Sequence, residues 1–217
     1  TVLAAGAGLI LWNGGMVLSD WNGWTAHPVV TGVSAAVMLV TAAHLFNRER
    51  SLQALAADVF GVAYIAGLGS YLVIIHGWAG MGPGLVTLLL VAVAWSDTGA
   101  YFVGRAFGRH KMAPRTSPKK SWEGFAGGIL FGVVSGGLLS LLWRPFMADI
   151  PAWQGMLLGL IMAVITPVGD LFISMFKRVA GLKDTSNVIP GHGGVLDRID
   201  TWIWAALIGY YYAVLFA

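Results

Sequence analysis

The chain has 217 residues, 57% of them hydrophobic and only 11% charged, about half the charged share usual in a soluble domain. That excludes a disordered chain and an ordinary soluble one, and 30 glycines with 10 tryptophans suit a packed polytopic membrane protein. Cysteine is absent, which excludes a disulfide framework, thiolate metal sites and a cysteine nucleophile.

A spanning helix needs roughly 20 mostly apolar residues. Seven apolar stretches approach that length, at about 2–18, 28–46, 59–76, 84–104, 122–143, 152–172 and 199–217. The breaks between them carry turn signals such as Asn22-Gly23, Gly82-Pro83-Gly84, Pro114, Pro118, Pro151 and Pro190-Gly191. The runs are continuous, unlike the alternating ~10-residue segments of a membrane barrel. The predicted fold is therefore all-α: a polytopic transmembrane helical protein with about seven spans, residues 1–217 forming a single integral membrane domain. The chain opens on Thr1 and is apolar at once, without the basic start of a signal peptide. A truncated amino terminus is expected.

Threading these spans alternately sorts the positive charge. The loops 47–58, 105–121 and 173–198 hold Arg48, Arg50, Arg105, Arg109, Lys111, Arg115, Lys119, Lys120, Lys177, Arg178, Lys183 and Arg198, and the opposite side holds only Arg144. The richly basic side is expected to face the cytoplasm. Trp21, Trp24, Trp78, Trp143 and Trp153 fall near outer ends of spans, and Trp122 and Trp202 near inner ends, as an aromatic belt requires. In the fifth span Gly124, Gly128, Gly132 and Gly136 form a stripe that lets another backbone approach; packing within the chain is favoured over a dimer seam.

Four carboxylates, Asp97, Asp170, Asp197 and Asp200, lie at the expected cytoplasmic edge of spans. An ionised carboxylate costs roughly 2.5–3.5 kcal/mol at a helix centre, so such residues are functional candidates. Asp197 and Asp200 share one helix face, and carboxylates gathered at low dielectric need a shared proton or a cation. Mg²⁺ suits them, since it takes carboxylates, waters and phosphate oxygens. The four are expected to point into one polar cavity, with Asp170 and Asp197 close enough to share the ion. Beside them lie two basic stretches, RAFGRHKMAPRTSPKKSWEG from Arg105 and KRVAGLKDTSNVIPGHGGVLDRID from Lys177. The first alone fits a patch for anionic lipid heads. In the second, Gly191, Gly193 and Gly194 allow a turn whose N–H groups face an anion, and His192 between them is a candidate hydrogen-bond donor to a phosphate or a proton shuttle. Carboxylates and cations on one face are reconciled by a metal–polyphosphate substrate, which points to phosphoryl or nucleotidyl transfer at the membrane edge.

The stretch from Ser174 carries Lys177-Arg178, Lys183-Asp184, His192-Gly193-Gly194 and Asp197-Arg198-Ile199-Asp200. It resembles the signature of the phosphatidate cytidylyltransferases, or CDP-diacylglycerol synthases. DTGAYFVGRAFG from Asp97 and SPKKSWEG from Ser117 are also similar to that family, so the resemblance covers roughly the second half of the chain, from residue 95 on, with the catalytic motifs in 95–200. It implies transfer of CMP from CTP to phosphatidate with Mg²⁺, in a helical membrane protein that forms a homodimer in the inner membrane of a bacterial cell. On this resemblance Asp170, Asp197, Asp200 and Asp97 hold the metal, with a second cation possible. Lys177 and His192 join the catalytic set. Arg105, Ser117, Lys119, Lys120, Arg178, Lys183, Gly193, Gly194 and Arg198 bind CTP or the lipid phosphate. No nucleic-acid partner is expected.

A related CTP-using enzyme acting on a polyprenol or an archaeal ether lipid fits the same motif. A cation-coupled transporter accounts for Asp97 and Asp170 but not for a His-Gly-Gly turn among cations. A scaffold for anionic lipids leaves the four acids unexplained. No G-x-x-x-x-G-K-[ST] loop is present, which excludes a P-loop NTPase.

Overall fold

The computed structural model describes residues 28–46, 51–78, 80–142, 150–182, 185–186 and 194–216. They fall into two compact units, divided between Gly82 and Pro83. The expected first span, 2–18, lies outside the described residues.

In the first unit α1 (Pro28–Leu45) is followed by α2 (Leu52–His76), whose middle, Val62–Gly67, is wound as a π-helix. Ser51 caps α2, its Oγ accepting the Ala54 N–H at 3.3 Å. Ala36 and Val40 of α1 pack on Val62 and Ala66 of the π segment, with Val33, Leu55 and Val59 around them. His44 and Asp58 approach to 3.6 Å beside this core.

The second unit contains α3 (Gly82–Phe107, but for its first residue), strands β1 (Lys111–Ala113) and β2 (Ser117–Ser121), α4 (Trp122–Leu142), α5 (Ala152–Val179) and α6 (Leu196–Phe216). Among the described residues five helices, α2 to α6, are long and apolar enough to cross a membrane, and α1 contributes the shorter apolar stretch Gly32–His44. The all-α membrane architecture holds, with one addition. The basic stretch between α3 and α4 folds as a two-stranded antiparallel hairpin, turning through Pro114, Arg115 and Thr116. A strand of three residues is too short for a period-2 pattern to show in sequence.

Small residues face inward and large ones outward on α4. Gly124 and Gly128 lie against the α3 backbone at Ala100 and Ser96, and Gly132 and Gly136 against the α5 backbone at Gly159 and Gly155. Leu130, Val134 and Leu138 are exposed on the other face. Lipid is as apolar as leucine, so helices associate here through close backbone packing rather than by burying large side chains. The glycine stripe is thus consumed within the chain. Gly169 of α5 meets Trp204 of α6, Gly209 of α6 meets Leu89 of α3, and the Tyr212 hydroxyl donates to the Gln154 carbonyl at 2.7 Å.

Several helices run further than their apolar stretches: α2 begins at Leu52 rather than near 59, and α6 at Leu196 rather than near 199. α3 continues to Phe107 and α5 to Val179. Lys177 and Arg178, read from composition as loop residues, therefore occupy the last turn of α5. Apolar composition marks what lipid can cover, whereas a helix continues until its backbone is stopped. Here the stop is Gly181, at φ +70°, with its N–H bonded to the Arg178 carbonyl and the Leu182 N–H to the Lys177 carbonyl.

Candidate active site

The hairpin is fixed at its base by α4. Glu123, in the first turn of α4, accepts the backbone N–H groups of Arg109 (3.1 Å) and His110 (3.2 Å) and pairs with His110 Nδ1 at 2.6 Å. The Trp122 N–H donates to the His110 carbonyl. Buried Ser121 caps α4 by accepting the Gly124 N–H at 3.2 Å. A side chain at Gly108 would strike the Gly104 carbonyl and the Ser121 hydroxyl, so glycine is required where the chain leaves α3 and doubles back.

Beneath the hairpin lies a cavity of about 640 Å³. Asp97, Tyr101 and Arg105 enter it from α3; Lys111, Ser117, Lys119 and Lys120 from the hairpin; Phe125 from α4; Pro167 and Asp170 from α5. Lys120 Nζ sits 2.8 Å from Asp170 Oδ2 and donates to the Pro167 carbonyl at 3.2 Å. The other Asp170 oxygen accepts the Ser174 hydroxyl at 3.2 Å. Arg105 donates to the Tyr101 hydroxyl at 3.0 Å. Carboxylates and ammonium groups thus line one chamber, as the charge pattern implies.

A second cluster ties α5 to the start of α6. Asp197 Oδ1 accepts Lys177 Nζ at 2.7 Å, and Oδ2 accepts the Thr185 N–H and hydroxyl, both at 2.9 Å, and the Gly194 N–H at 3.0 Å. Asp197 also lies in the first turn of α6, where the helix dipole favours a negative charge. Asp200, buried one turn on, accepts the Thr201 N–H at 2.8 Å. Its carboxylate lies within electrostatic reach of Asp170, Asp97 and Lys177, which links the two clusters. The hairpin and the α5–α6 segment therefore gather at one end of this unit although α4 and α5 separate them in sequence.

The expected convergence of four carboxylates on one space is met by two of them. Asp97 and Asp170 line the cavity, Asp200 is buried nearby, and Asp197 is turned into the second cluster. Both carboxylates expected to share a cation lie against lysines, Asp170 against Lys120 and Asp197 against Lys177. Among the described residues no three His, Asp or Glu side chains are grouped closely enough to hold a metal by themselves. Arg105, Ser117 and Lys119 line the cavity; Arg178 and Arg198 are exposed near the second cluster; Gly194 is buried and donates its N–H there. Lys183, His192 and Gly193 lie outside the described residues. Sequence reasoning missed Tyr101, Lys111, Pro167, Thr185 and Glu123. Tyr101 lies inside the DTGAYFVG match and Glu123 inside SPKKSWEG, so a signal existed for both. Thr185 had none, because its role depends on how the chain turns after α5.

Residues 2–216 match the cytidylyltransferase family. Among curated proteins the chain is 44% identical over 119 residues to a phosphatidate cytidylyltransferase of Mycobacterium bovis, covering 55% of this chain and 38% of that protein. It is 45% identical over 131 residues to one from Pseudomonas aeruginosa (60% and 47%) and 46% identical over 125 residues to one from Haemophilus influenzae (54% and 42%). The matched part spans less than half the length of these relatives. By its helices and by the family match over nearly its whole length, the chain is an integral membrane protein that belongs to the cytidylyltransferase family.

Proposed function

We propose that the protein is a phosphatidate cytidylyltransferase of a bacterial inner membrane, with its site facing the cytoplasm. The observation that carries this reading is the cavity in which Asp97 and Asp170 meet Arg105, Lys111, Lys119 and Lys120 in a member of this family. In the reaction a phosphate oxygen of phosphatidate attacks the α-phosphorus of CTP. The bond from that phosphorus to the bridging oxygen breaks, and pyrophosphate leaves with the electron pair. The product is CDP-diacylglycerol. A phosphate monoester is already largely ionised near neutral pH (second pKa about 6), so the chain needs to supply little general base. Its task is to bring two polyanions together and stabilise the leaving group.

The donor set fits Mg²⁺, which is commonly bound by one or two carboxylates plus waters and substrate phosphates rather than by an all-protein cage. Asp97 and Asp170 would hold it, with Asp200 beside them; a second cation at Asp197 requires Lys177 to leave Oδ1. The metal supplies charge neutralisation on the phosphates. Lys120, which lies 2.8 Å from Asp170, would be available to a phosphate if a cation took its place on that carboxylate. Lys119, Lys111 and Arg105 complete a cationic rim for CTP and the lipid phosphate. Lys177, Arg178 and Gly194 would serve the same substrates from the α5–α6 side, and the motif assigns Lys183, His192 and Gly193 to them as well. The positive-inside distribution supports the cytoplasmic orientation. A homodimer remains part of this reading, through a surface other than the α4 glycine stripe.

The test is labelled CTP with phosphatidate and purified protein in detergent, with and without Mg²⁺. CDP-diacylglycerol formed only with Mg²⁺ is expected. No CDP-lipid from well-folded protein overturns the assignment, and CDP-lipid formed only from a polyprenol or an ether lipid moves it to that acceptor.

A further inference from the structure

The outer side of the hairpin carries a second, open groove, lined by Arg109, His110, Lys111, Pro114, Trp122 and Ala126 with Glu123 at its base. It is separate from the Asp97–Asp170 chamber except that Lys111 borders both. The negative charge of Glu123 is spent on the hairpin backbone and His110. The Arg109 and Lys111 side chains are exposed and make no ion pair among the described residues. Arg109 is held by its backbone N–H, which leaves its guanidinium available.

What lies below the cations decides the occupant. Trp122 is 55% exposed at the first residue of a membrane-length helix, and its ring meets Phe125 edge-on. Ala126 follows one turn deeper in the groove wall, and Leu130 and Val134 are exposed at the next two four-residue steps along α4. The groove therefore leads from two cations without an ion pair among the described residues, past an interfacial tryptophan, toward exposed apolar side chains of a spanning helix. A soluble anion uses only the top of this arrangement. A phospholipid uses all of it.

We propose that this groove binds an anionic membrane phospholipid, its phosphate between Arg109 and Lys111 and an acyl chain along Ala126, Leu130 and Val134. The site shares Lys111 with the wall of the Asp97–Asp170 chamber and otherwise lies outside it, and its occupancy does not require the proposed reaction.

The test is native mass spectrometry of the protein in detergent without CTP, titrated with phosphatidylglycerol and with phosphatidylcholine of the same chains. Preferential retention of phosphatidylglycerol is expected, weakened about tenfold or more in Arg109→Gln, the loss of one charge-assisted contact to a phosphate. Leu130→Gln should weaken retention of both lipids, because it cuts the acyl track. Arg115→Gln, an exposed arginine in the hairpin turn outside the groove, should leave retention unchanged. Equal losses in Arg109→Gln and Arg115→Gln would reduce the effect to diffuse charge and overturn the site. Displacement of the lipid by equimolar glycerol 3-phosphate would show a site for soluble anions instead, and so would an Arg109 effect without a Leu130 effect. Circular dichroism and gel-filtration profiles matching the parent protein establish that each variant is folded. Failure of the CTP assay leaves these outcomes untouched, since no nucleotide is present.

Discussion

Two lysine–aspartate pairs lie at the same end of the second unit, and their surroundings differ. Lys120–Asp170 spans 2.8 Å with side chains 24% and 35% exposed, and it opens onto the cavity. Lys177–Asp197 spans 2.7 Å with side chains 15% and 7% exposed, and the carboxylate takes three further hydrogen bonds from Thr185 and Gly194. The chemistry of the pair is the same in both. What surrounds it sets how readily the ammonium can be exchanged for something else. On the proposed function, the first pair would give up one contact to admit a cation and a phosphate. The second holds a turn in place, and anything that displaces Lys177 acts on the chain between α5 and α6 as well.

The largest effect is expected from Asp197→Asn. The change strands Lys177 in a nearly buried position, and removing one partner of a buried pair typically costs about 3–5 kcal/mol. Asparagine also presents an NH₂ group where either Oδ1 accepts Lys177 or Oδ2 accepts Thr185 and Gly194. The thermal midpoint in detergent should fall clearly, and CDP-lipid formation should be nearly lost. Lost turnover with an unchanged midpoint would assign Asp197 to the reaction and not to the architecture of the turn.

Asp170→Asn should separate these two effects. Lys120 keeps the Pro167 carbonyl and the cavity keeps its walls, so the midpoint should move little. Turnover should fall on the order of 100-fold, the scale of losing a transition-state charge contact worth about 2.7 kcal/mol, with both kcat and kcat/KM reduced. Excess Mg²⁺ should restore little of it. Near-normal turnover would remove Asp170 from the metal site and end the contrast between the two pairs.

How much of this was legible in sequence follows from what each residue type can signal. Apolar run length reported the spans, because a lipid-facing helix must be apolar for nearly its whole crossing. It could not report that α5 continues to Val179, since Lys177 and Arg178 are good helix formers that look like loop once they are charged. The costly acids were legible one by one, and Asp97 and Asp170 do meet in one chamber. Their partners were not. Lys120 reaches Asp170 and the Pro167 carbonyl across 47 residues of chain in the latter contact, a pairing that no local spacing encodes. The hairpin was hidden for a related reason, since its base is fixed by Glu123 bonding back to Arg109 and His110. Four-residue glycine spacing did show a close-packed face, and the partners prove to be α3 and α5 of the same chain.

Lys120→Ala against Lys177→Ala sharpens the comparison at a smaller scale. Loss of one charge-assisted phosphate contact is worth roughly 1.5–3 kcal/mol, about 10- to 150-fold in kcat/KM. For Lys120 the loss should appear in turnover and CTP affinity with the fold intact, and Lys120→Arg should recover part of it. For Lys177 the same activity loss should come with a lowered midpoint, because Asp197 is left buried without its counter-charge. Equal midpoints in the two alanine variants would mean that the difference in burial carries no energetic weight.

The smallest effect on turnover is expected from Glu123→Gln, which touches neither pair directly. Glutamine retains one acceptor oxygen and replaces the other with a donor, so it keeps part of the bonding to Arg109 and His110 and loses the charge that pairs with the ring of His110. The hairpin should loosen at its base while Asp170 and Asp97, on other helices, keep their places. Because Lys119 and Lys120 ride on β2, the consequence should fall on CTP KM, raised a few-fold with kcat nearly unchanged. Hydrogen exchange should speed up across Lys111–Ser121 and stay slow around Thr185 and Asp197. A loss of kcat as large as that of Asp170→Asn, with no change in hairpin exchange, would mean that Glu123 acts on the reacting groups and that the hairpin is not what holds Lys120 over the cavity.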